Sequence, residues 1–518
     1  MSFNDRKTQL EYGDFQTPLE LAEMVCRKLI ELDVNPKVII EPTCGIGNFI
    51  KAAANSFPSA SKIIGVEINQ SYLRELIAKH ELLQDERCEV KHGDFFEFDW
   101  TSLINKFNHR VLVLGNFPWV TNSQQGTINS ENLPKKSNFQ KHTGLDALTG
   151  KSNFDISEWM LIHAIQWLQN RDASLAMLCK TSVARKLLSY IHSKKLNLAS
   201  CATYKIDAKK YFDANVDACL LFCKFDLSSQ NYFCDVFSSL ESSDCHRIGY
   251  HNKVLVKDID AFSKLSDLYA VNSGAKWRSG VKHDCSNVME FRKIDKLFVN
   301  GFGEAVELEE TYLFPLLKGS DVAQNRINRT NRYILVTQKF IGEPTEPISQ
   351  IAPKTWRYLQ EWGQYLDNRK SKIYQHNPRF SIFGVGDYSF KFWKIAICGL
   401  YKKLDFRLIG EIANKPAIFD DTVYFLSFDS ERVARQTFEL LNSPTAINFY
   451  SSIVFWDEKR PIKSSILNCL NMALLADWDF LTADARRSTQ MSTQEFLIKS
   501  KKTGFLTSQK TRFLTTRA

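Results

Sequence analysis

Several features that would place this chain in a familiar class of protein are missing from its sequence. No stretch approaches the roughly 18 consecutive apolar residues that would predict a membrane-spanning helix. The first residues have no apolar core, which predicts that there is no signal peptide. None of the 12 cysteines forms a CxxC pair. Cys245-His246 and His283-Asp-Cys285 are the remaining candidates for a zinc site, and we expect no metal there.

The cysteines that are present lie scattered, and many fall inside apolar stretches. This usage is typical of reduced proteins inside the cell rather than of a disulfide framework. The formal net charge of +9 and the isoelectric point of about 8.8 give a modest basic bias. Such a bias suits a nucleic-acid partner without establishing one.

The 518 residues predict two or three domains. Strands and helices alternate strongly as far as residue 235, and the pattern then changes to mixed short strands, helices and aromatic-rich loops. A polar basic tail covers residues 486–518. There are no internal repeats and no clear set of nuclease carboxylates.

The most informative stretch begins with a short apolar strand, Val111–Leu114, and stops at Gly115-Asn-Phe-Pro-Trp119. Pro118 has no backbone donor and restricts the residue before it. Asn116 offers an amide oxygen, Phe117 a carbonyl and Trp119 a flat face. Two acceptors beside a flat face suit a planar exocyclic amine, although a plain strand, turn and core tryptophan would have the same pattern.

Three earlier strands also end in an acid, at Glu41, Glu67 and Asp94. Gly45 and Gly47 follow the first of them and allow a tight turn. Glu67 stands about 20 residues past the glycines, where an acid binds ribose hydroxyls in nucleoside-binding α/β folds. It could instead cap the following helix. Repeated polar strand ends at one edge of a sheet are hard to explain by packing alone.

Together these motifs resemble the S-adenosylmethionine-dependent DNA adenine-N6 methyltransferases of bacterial restriction–modification systems. The chain shares with that family Glu-Pro-x-x-Gly-x-Gly-x-Phe, the strand ending at Glu67, Gly-Asp-Phe-Phe and Asn-Phe-Pro-Trp. The order of motifs resembles the gamma class, in which the catalytic domain precedes the target recognition domain. The resemblance implies a class I methyltransferase fold, which is an α/β, Rossmann-like, mostly parallel seven-stranded sheet, followed by a mixed α+β region.

The resemblance also assigns roles to residues by their place in the motifs. The residues implied to bind S-adenosylmethionine are Phe15, Thr17, Pro18, Glu41, Pro42, Gly45, Gly47, Glu67, Ile68, Asp94, Phe95 and Asn116. Those implied to be catalytic are Asn116, Phe117, Pro118, Trp119 and Phe212. Trp119 and Phe212 are expected to stack on the target adenine, although Phe212 could also be an ordinary core residue.

Phe117 departs from the family, which has proline at this position. The backbone carbonyl is retained in either residue, so we expect Phe117→Pro to keep activity. The polar stretch 121–153 is expected to be either a loop over the target base and phosphates or disordered. Thr17 is expected to cap the first helix, whose apolar face consists of Leu21, Val25, Leu29 and Leu32. A later helix that runs to about Leu168 is expected to be capped by Asp155 or Ser157.

The resemblance implies residues 1–235 as the methyltransferase domain and 236–485 as the DNA-reading region. Basic residues interleaved with aromatics, as in Lys276-Trp-Arg278, Arg332-Tyr333 and Arg357-Tyr358, fit such a surface. The implied partners are double-stranded DNA and, as a separate protein, a restriction endonuclease, in a bacterial or archaeal cytoplasm without a membrane. Two alternatives stay open: an RNA or protein-glutamine N-methyltransferase, and a catalytically silent DNA-binding subunit of a defence complex.

Overall fold

The computed structural model describes residues 16–78, 84–107, 110–119, 155–251, 254–270, 276–295 and 297–477. The described chain divides into two compact units, Met1–Asp260 and Ala261–Ala518. Phe15, the segment 121–153 and the tail 486–518, all of which carry sequence predictions, lie outside the described residues. No helix in the described ranges is both long and apolar enough to cross a membrane.

The first unit is built on one ten-stranded sheet. Its strands are β1 (Val38–Glu41), β2 (Lys62–Glu67), β3 (Cys88–His92), β4 (Val111–Asn116), β5 (Ala173–Lys180), β6 (Ser200–Ile206), β7 (Ala218–Phe225), β8 (Phe233–Phe237), β9 (Cys245–His251) and β10 (Val254–Val256). The order across the sheet is β10-β9-β8-β6-β7-β5-β4-β1-β2-β3. Neighbours from β5 to β3 are parallel, and β7 runs antiparallel to both β5 and β6.

Short helices connect these strands. They are α1 (Leu19–Glu31), α2 (Asn48–Ser56), α3 (Gln70–Ala78), α4 (Trp100–Asn105), α5 (Ile156–Trp167), α6 (Thr181–Lys194) and α7 (Ala208–Phe212), with α8 (Ile259–Ser263) at the junction of the units. In α1 the predicted apolar face is buried, since Leu21, Val25 and Leu29 are inaccessible to solvent. Of the two predicted caps of α5, Asp155 and Ser157, the structure has Asp155, whose side chain accepts from the amide of Ser157.

The predicted seven-stranded class I sheet is confirmed as the strands β1 to β7. They bury their apolar runs on both faces, as Val38 to Ile40 and Val111 to Leu114 show. Three more strands extend the sheet past residue 235, because β8 pairs in parallel with β6 and continues into the β9–β10 hairpin. The amino-terminal unit is therefore longer than the change of sequence pattern suggests.

The second unit is α+β, with two smaller sheets. Its four-stranded sheet has the order β11-β20-β17-β18 and its six-stranded sheet has the order β14-β13-β12-β16-β15-β19. The strands are β11 (Arg278–Ser279), β12 (Glu290–Ile294), β13 (Leu297–Val299), β14 (Ala305–Val306), β15 (Leu313–Leu317), β16 (Arg332–Leu335), β17 (Trp393–Cys398), β18 (Arg407–Ile409), β19 (Ile418–Phe419) and β20 (Val423–Phe428). The helices are α9 (Ser286–Met289), α10 (Gly319–Ala323), α11 (Ile348–Ile351), α12 (Pro353–Glu361), α13 (Gly363–Asp367), α14 (Glu431–Leu441), α15 (Pro444–Ile453) and α16 (Ser464–Leu467).

The aromatic residues of the predicted DNA-reading motifs are mostly part of this unit's interior. Trp277, Tyr333 and Tyr358 are buried. Their basic neighbours point elsewhere, and Arg332, for example, pairs with Asp321. At these three positions the aromatic ring packs in the interior, so the interleaving of basic and aromatic residues does not by itself indicate a DNA-reading surface.

Candidate active site

The loop between β1 and α2 lies at the carboxyl edge of the sheet and depends on two glycines. Gly45 and Gly47 have φ angles of +51° and +84°, a region that favours glycine. A Cβ atom on Gly45 would lie 2.3 Å from Oε1 of Gln16, so the segment before α1 packs directly on this loop. The same Gln16 oxygen accepts a hydrogen bond from the amide of Ile46 at 3.2 Å.

Glu67 ends the next strand and joins two loops. Its Oε2 accepts from the amide of Gly45 at 2.8 Å, and its Oε1 accepts from the amide of Asn69 at 2.7 Å. The contact with the Asn69 amide, just before α3, is of the kind expected if Glu67 caps the following helix. The carboxylate also fixes the glycine loop. A carboxylate has about four lone-pair sites and can accept several hydrogen bonds at once, which suits the predicted contact with ribose hydroxyls.

Glu41 ends β1 in a drier setting than Glu67. It is buried, and its Oε2 has no hydrogen-bond partner among the residues that the structure describes. Burial, followed by the nearby charge of Glu67, raises the pKa of Glu41 well above its usual range, and the Ile50 amide opposes the shift. A buried carboxyl with an unsatisfied oxygen is costly unless something binds it. The site therefore fits a ligand with a cationic or hydrogen-bonding group here.

Thr17 links the cofactor loop to the tip after β4. Its hydroxyl accepts from Nδ2 of Asn116 at 3.3 Å, and its carbonyl accepts from Nδ2 of Asn48 at 2.8 Å. The prediction that Thr17 caps α1 is wrong, because the residue at that cap is Pro18 and no side chain bonds there. Thr43 adds a second link, since its hydroxyl donates to the carbonyl of Asn116 at 3.2 Å.

Gly115 lets β4 approach the β1 strand end. A Cβ atom on Gly115 would lie 3.2 Å from Cγ of Glu41. The two strands are neighbours in the sheet, with Ile40 beside Val113. Asn116 therefore follows directly after the residue that packs on Glu41, which brings the predicted catalytic and cofactor residues to one place.

The Asp94 motif holds its own turn, because Oδ1 of Asp94 accepts from the amide of Phe96 at 2.8 Å. Phe95 is buried among aromatic rings. Its ring centroid lies 5.3 Å from that of Phe117 and 5.4 Å from that of Trp167, and its carbonyl accepts from Nε1 of Trp100 at 2.8 Å. Its role as a cofactor wall stays a prediction. Ile68, by contrast, is exposed, and its carbonyl bonds the ring of His92.

The packing of Phe117 gives a reason for its departure from the family pattern. Its side chain is only 1% exposed and fills the same aromatic cluster, edge to face with Phe95. Proline would keep the carbonyl but would leave the space of the ring unfilled. The expectation that Phe117→Pro keeps activity therefore holds for the carbonyl alone, and we now expect the exchange to lower stability.

Trp119 and Phe212, which are predicted to stack on the two sides of a target base, contact each other directly and are not parallel. Their ring centroids are 5.1 Å apart and the planes cross at 68°. Phe212 lies at the end of α7, and both rings pack into the core of the first unit. A base between them requires the rings to move apart as well as to turn, so stacking on a target stays a prediction.

Lys180 is a site residue that the sequence reasoning missed. It ends β5, the neighbour of β4, and its Nζ donates to the carbonyl of Trp119 at 3.1 Å and to Oδ2 of Asp155 at 2.6 Å. A lysine at a strand end next to the catalytic strand was the available signal. No group of three or more histidine, cysteine or acidic side chains in the described ranges could hold a metal ion.

Comparison with known proteins identifies the family. The chain is 65% identical over 476 residues to the type II methyltransferase M.NspV of Nostoc sp. (strain ATCC 29411 / PCC 7524), which covers 92% of this chain and 99% of that protein. The chain belongs to the type II methyltransferases. A second relative, the type II methyltransferase M.CvrRI of Paramecium bursaria Chlorella virus XZ-6E, is 33% identical over 117 residues, which are 22% of this chain and 27% of the relative. No protein-family model matches the chain.

Among solved structures, the type IIL restriction–modification enzyme MmeI in complex with DNA aligns with a TM-score of 0.51 at 14% identity. The alignment covers 90% of this chain and 65% of the MmeI chain, and it supports a shared fold. The predicted family is confirmed as that of S-adenosylmethionine-dependent DNA methyltransferases of restriction–modification systems. S-Adenosylmethionine is the cofactor.

Proposed function

We propose that this chain transfers the methyl group of S-adenosylmethionine to the exocyclic N6 of adenine at a specific site in double-stranded DNA. The observation that carries the proposal is the position of Asn116. It ends β4 at the carboxyl edge of the sheet, and its amide is tied to Thr17 beside the glycine loop. Asn116, the proposed acceptor for the target amine, is therefore linked to the cofactor loop through Thr17.

The cofactor would be held by the loop around Gly45 and Gly47 and by the carboxylates Glu41, Glu67 and Asp94. The sulfonium supplies an activated methyl group, so the chain has to provide orientation and electrostatics. Glu67 already fixes the glycine loop through the Gly45 amide. Glu41 supplies the buried acceptor whose Oε2 has no partner in the described part of the chain.

The target adenine cannot be reached inside a duplex, so it has to leave the stack. The side-chain oxygen of Asn116 and the carbonyl of Phe117 would accept hydrogens from the exocyclic amine and orient its lone pair. Trp119 and Phe212 would hold the base after the two rings turn and move apart from their present edge-to-face contact. Stacking of this kind is worth roughly 1–3 kcal/mol per base. No covalent intermediate with the protein is required.

We propose that the region that reads the DNA sequence is the part of residues 236–485 that belongs to the second unit, from Ala261 onwards. We also propose a separate restriction endonuclease as the biological counterpart. Glu41 disfavours the alternative of a catalytically silent subunit. A buried carboxyl with an unsatisfied oxygen lowers the stability of the fold unless a ligand binds it. An RNA or protein substrate is distinguished by its product.

The test is a transfer assay with methyl-labelled S-adenosylmethionine and, in parallel, unmodified plasmid DNA, total RNA and a protein extract. We expect label in DNA only, and N6-methyladenine after digestion to nucleosides and mass spectrometry. Label confined to RNA or protein, or a methylated cytosine, would contradict the proposal. Absence of label from all three, with cofactor binding intact, would favour a silent subunit.

A further inference from the structure

Lys180 forms a bridge between two parts of the first unit. The ammonium lies 2.6 Å from Oδ2 of Asp155 and 3.1 Å from the carbonyl of Trp119. Its own strand is in register with the catalytic strand, with Leu178 beside Asn116. Only 19% of the Lys180 side chain is accessible to solvent, against 7% for Asp155. Because it is largely shielded from water, this contact is stronger than an ordinary surface ion pair.

Asp155 is a fixed anchor rather than a mobile partner. Its Oδ1 accepts from both the amide and the hydroxyl of Ser157, at 3.1 Å and 2.6 Å, and so caps α5. The carboxylate therefore cannot follow Lys180 if the lysine moves. Lys180 in turn is held at the end of β5, so its ammonium has a defined position from which to hold a carbonyl.

The carbonyl that Lys180 holds belongs to the last residue of the catalytic tip. Pro118, which has a fixed φ and no amide donor, precedes it. Trp119 also contacts Phe212 through its ring. Holding the Trp119 carbonyl thus limits rotation at the carboxyl end of the tip, while Thr43 and Thr17 limit it at Asn116.

We propose that Lys180 is a positioning residue for methyl transfer, which ties the Trp119 carbonyl to the Asp155-capped start of α5 and so holds the tip Asn116–Trp119 in its reactive arrangement. The proposal rests on the proposed function of that tip. Lys180 acts through Trp119 and does not touch the methyl group or the accepting nitrogen.

The chain contains a matched control. Lys186 on α6 pairs with Glu158 on α5 at 2.7 Å, and Glu158 is as buried as Asp155. Lys186 therefore pairs with a buried carboxylate of the same helix without reaching the tip, and its own side chain is more exposed than that of Lys180, at 53% against 19%. Four variants of the full chain are compared: Lys180→Met, Lys180→Arg, Asp155→Asn and Lys186→Met. Asparagine can still cap α5, so Asp155→Asn removes the charge and keeps the helix start.

The measurements are kcat and KM for transfer to unmodified plasmid DNA, the Kd of S-adenosylmethionine by calorimetry, and the melting temperature. We expect Lys180→Met to lower kcat about tenfold or more, which is the loss of one charge-assisted hydrogen bond in a reactive arrangement. Its Kd for the cofactor should stay within about twofold, since the glycine loop is untouched. Asp155→Asn should lower kcat to a smaller degree, Lys180→Arg should recover most of it, and Lys186→Met should leave it unchanged.

The proposal is overturned if Lys180→Met keeps the parental kcat, or if Lys186→Met lowers kcat as much. It is also overturned if cofactor affinity and melting temperature fall in proportion to kcat and arginine does not restore it, because that pattern describes general damage. If Lys180→Met does not fold, Asp155→Asn decides by the same criteria. Product analysis of the parent chain separates this test from the proposed function: a product other than N6-methyladenine refutes the latter, while kcat for that product still tests Lys180.

Discussion

The two halves of the active edge are held in place by different means. In the cofactor half, after β1 and β2, backbone amides hold the loop: the amides of Gly45 and Asn69 both donate to the carboxylate of Glu67. In the target half, after β4 and β5, side chains that are distant in sequence hold the tip. Phe95 packs on Phe117, and Lys180 holds the Trp119 carbonyl.

This difference predicts how each half responds to mutation. A loop held by backbone bonds to one carboxylate should lose affinity for its ligand when that carboxylate changes. A tip held by packing should lose stability or turnover when a remote side chain changes, with little effect on cofactor affinity. The following changes test that division, from the largest expected effect to the smallest.

Phe117→Ala should have the largest effect on stability. The ring is buried in the aromatic cluster, and truncation of a buried phenylalanine costs roughly 3–5 kcal/mol. Denaturant unfolding of the full chain measures it. Phe96→Ala is the control, because Phe96 is only partly buried beside the same cluster and should cost less. Equal costs would show that Phe117 is not specifically packed.

Asn116→Ala should have the largest effect on turnover. Loss of one preorganised polar group in a reactive arrangement costs roughly 3–4 kcal/mol by analogy with oxyanion sites. Cofactor affinity should remain close to that of the parent. The control is Thr17→Val, which removes the same hydrogen bond from the other side but keeps the Asn116 amide. If Thr17→Val loses as much turnover as Asn116→Ala, the hydrogen bond between Thr17 and Asn116 matters more than the Asn116 side-chain oxygen as an acceptor.

Glu67→Ala should affect the cofactor half instead. It removes the acceptor of the Gly45 and Asn69 amides together with the proposed ribose contact. We expect S-adenosylmethionine binding to weaken by roughly 1–3 kcal/mol in calorimetry. Unchanged affinity in a folded variant would contradict the ribose assignment.

Glu41 should produce the smallest effect, visible as a pH dependence. Its pKa is raised in the folded protein, so the folded state binds more protons than the unfolded state above the usual glutamate range. The stability that this group contributes is present at low pH and is lost as pH rises through the raised pKa. Glu41→Gln should therefore show a smaller fall in melting temperature than the parent as pH rises from about 5 to 8.

The protonation of Glu41 should also be visible in the binding of S-adenosylmethionine. If the ionised form of Glu41 holds the cofactor, then binding releases a proton, and affinity in the parent rises with pH below the raised pKa. Calorimetry in two buffers of different ionisation enthalpy counts that proton. A parent that releases no more protons than Glu41→Gln would contradict this role.

The fold of the first unit could be predicted because its signals are local. Apolar runs such as Val111–Leu114 are buried strands, and polar strand ends mark the carboxyl edge. Glu41, Glu67 and Asn116 do lie at that edge, as their strand ends imply. The continuation through β8 to β10 was not predictable from a change of pattern, because it depends on a parallel pairing between Thr203 and Val236.

The target half was less predictable because its contacts join residues that are far apart in sequence. Nothing near Phe117 in the sequence indicates that Phe95 completes its packing. The distance in sequence between Trp119 and Lys180 hides their contact. In the second unit, aromatics beside arginines suggested a surface, yet Trp277, Tyr333 and Tyr358 are buried. Tyr333 lies in strand β16 and Tyr358 in helix α12, and both rings pack into the same core.

The central claim is that Asn116 at the end of β4 directs methyl transfer to adenine N6 in DNA. Single-molecule sequencing of DNA from cells that express the chain maps modified bases directly. We predict N6-methyladenine at one recurring sequence in cells with the parent chain and its absence in cells with Asn116→Ala at equal protein level. The same modification pattern in both, or another modified base at the recurring sequence, would contradict the claim.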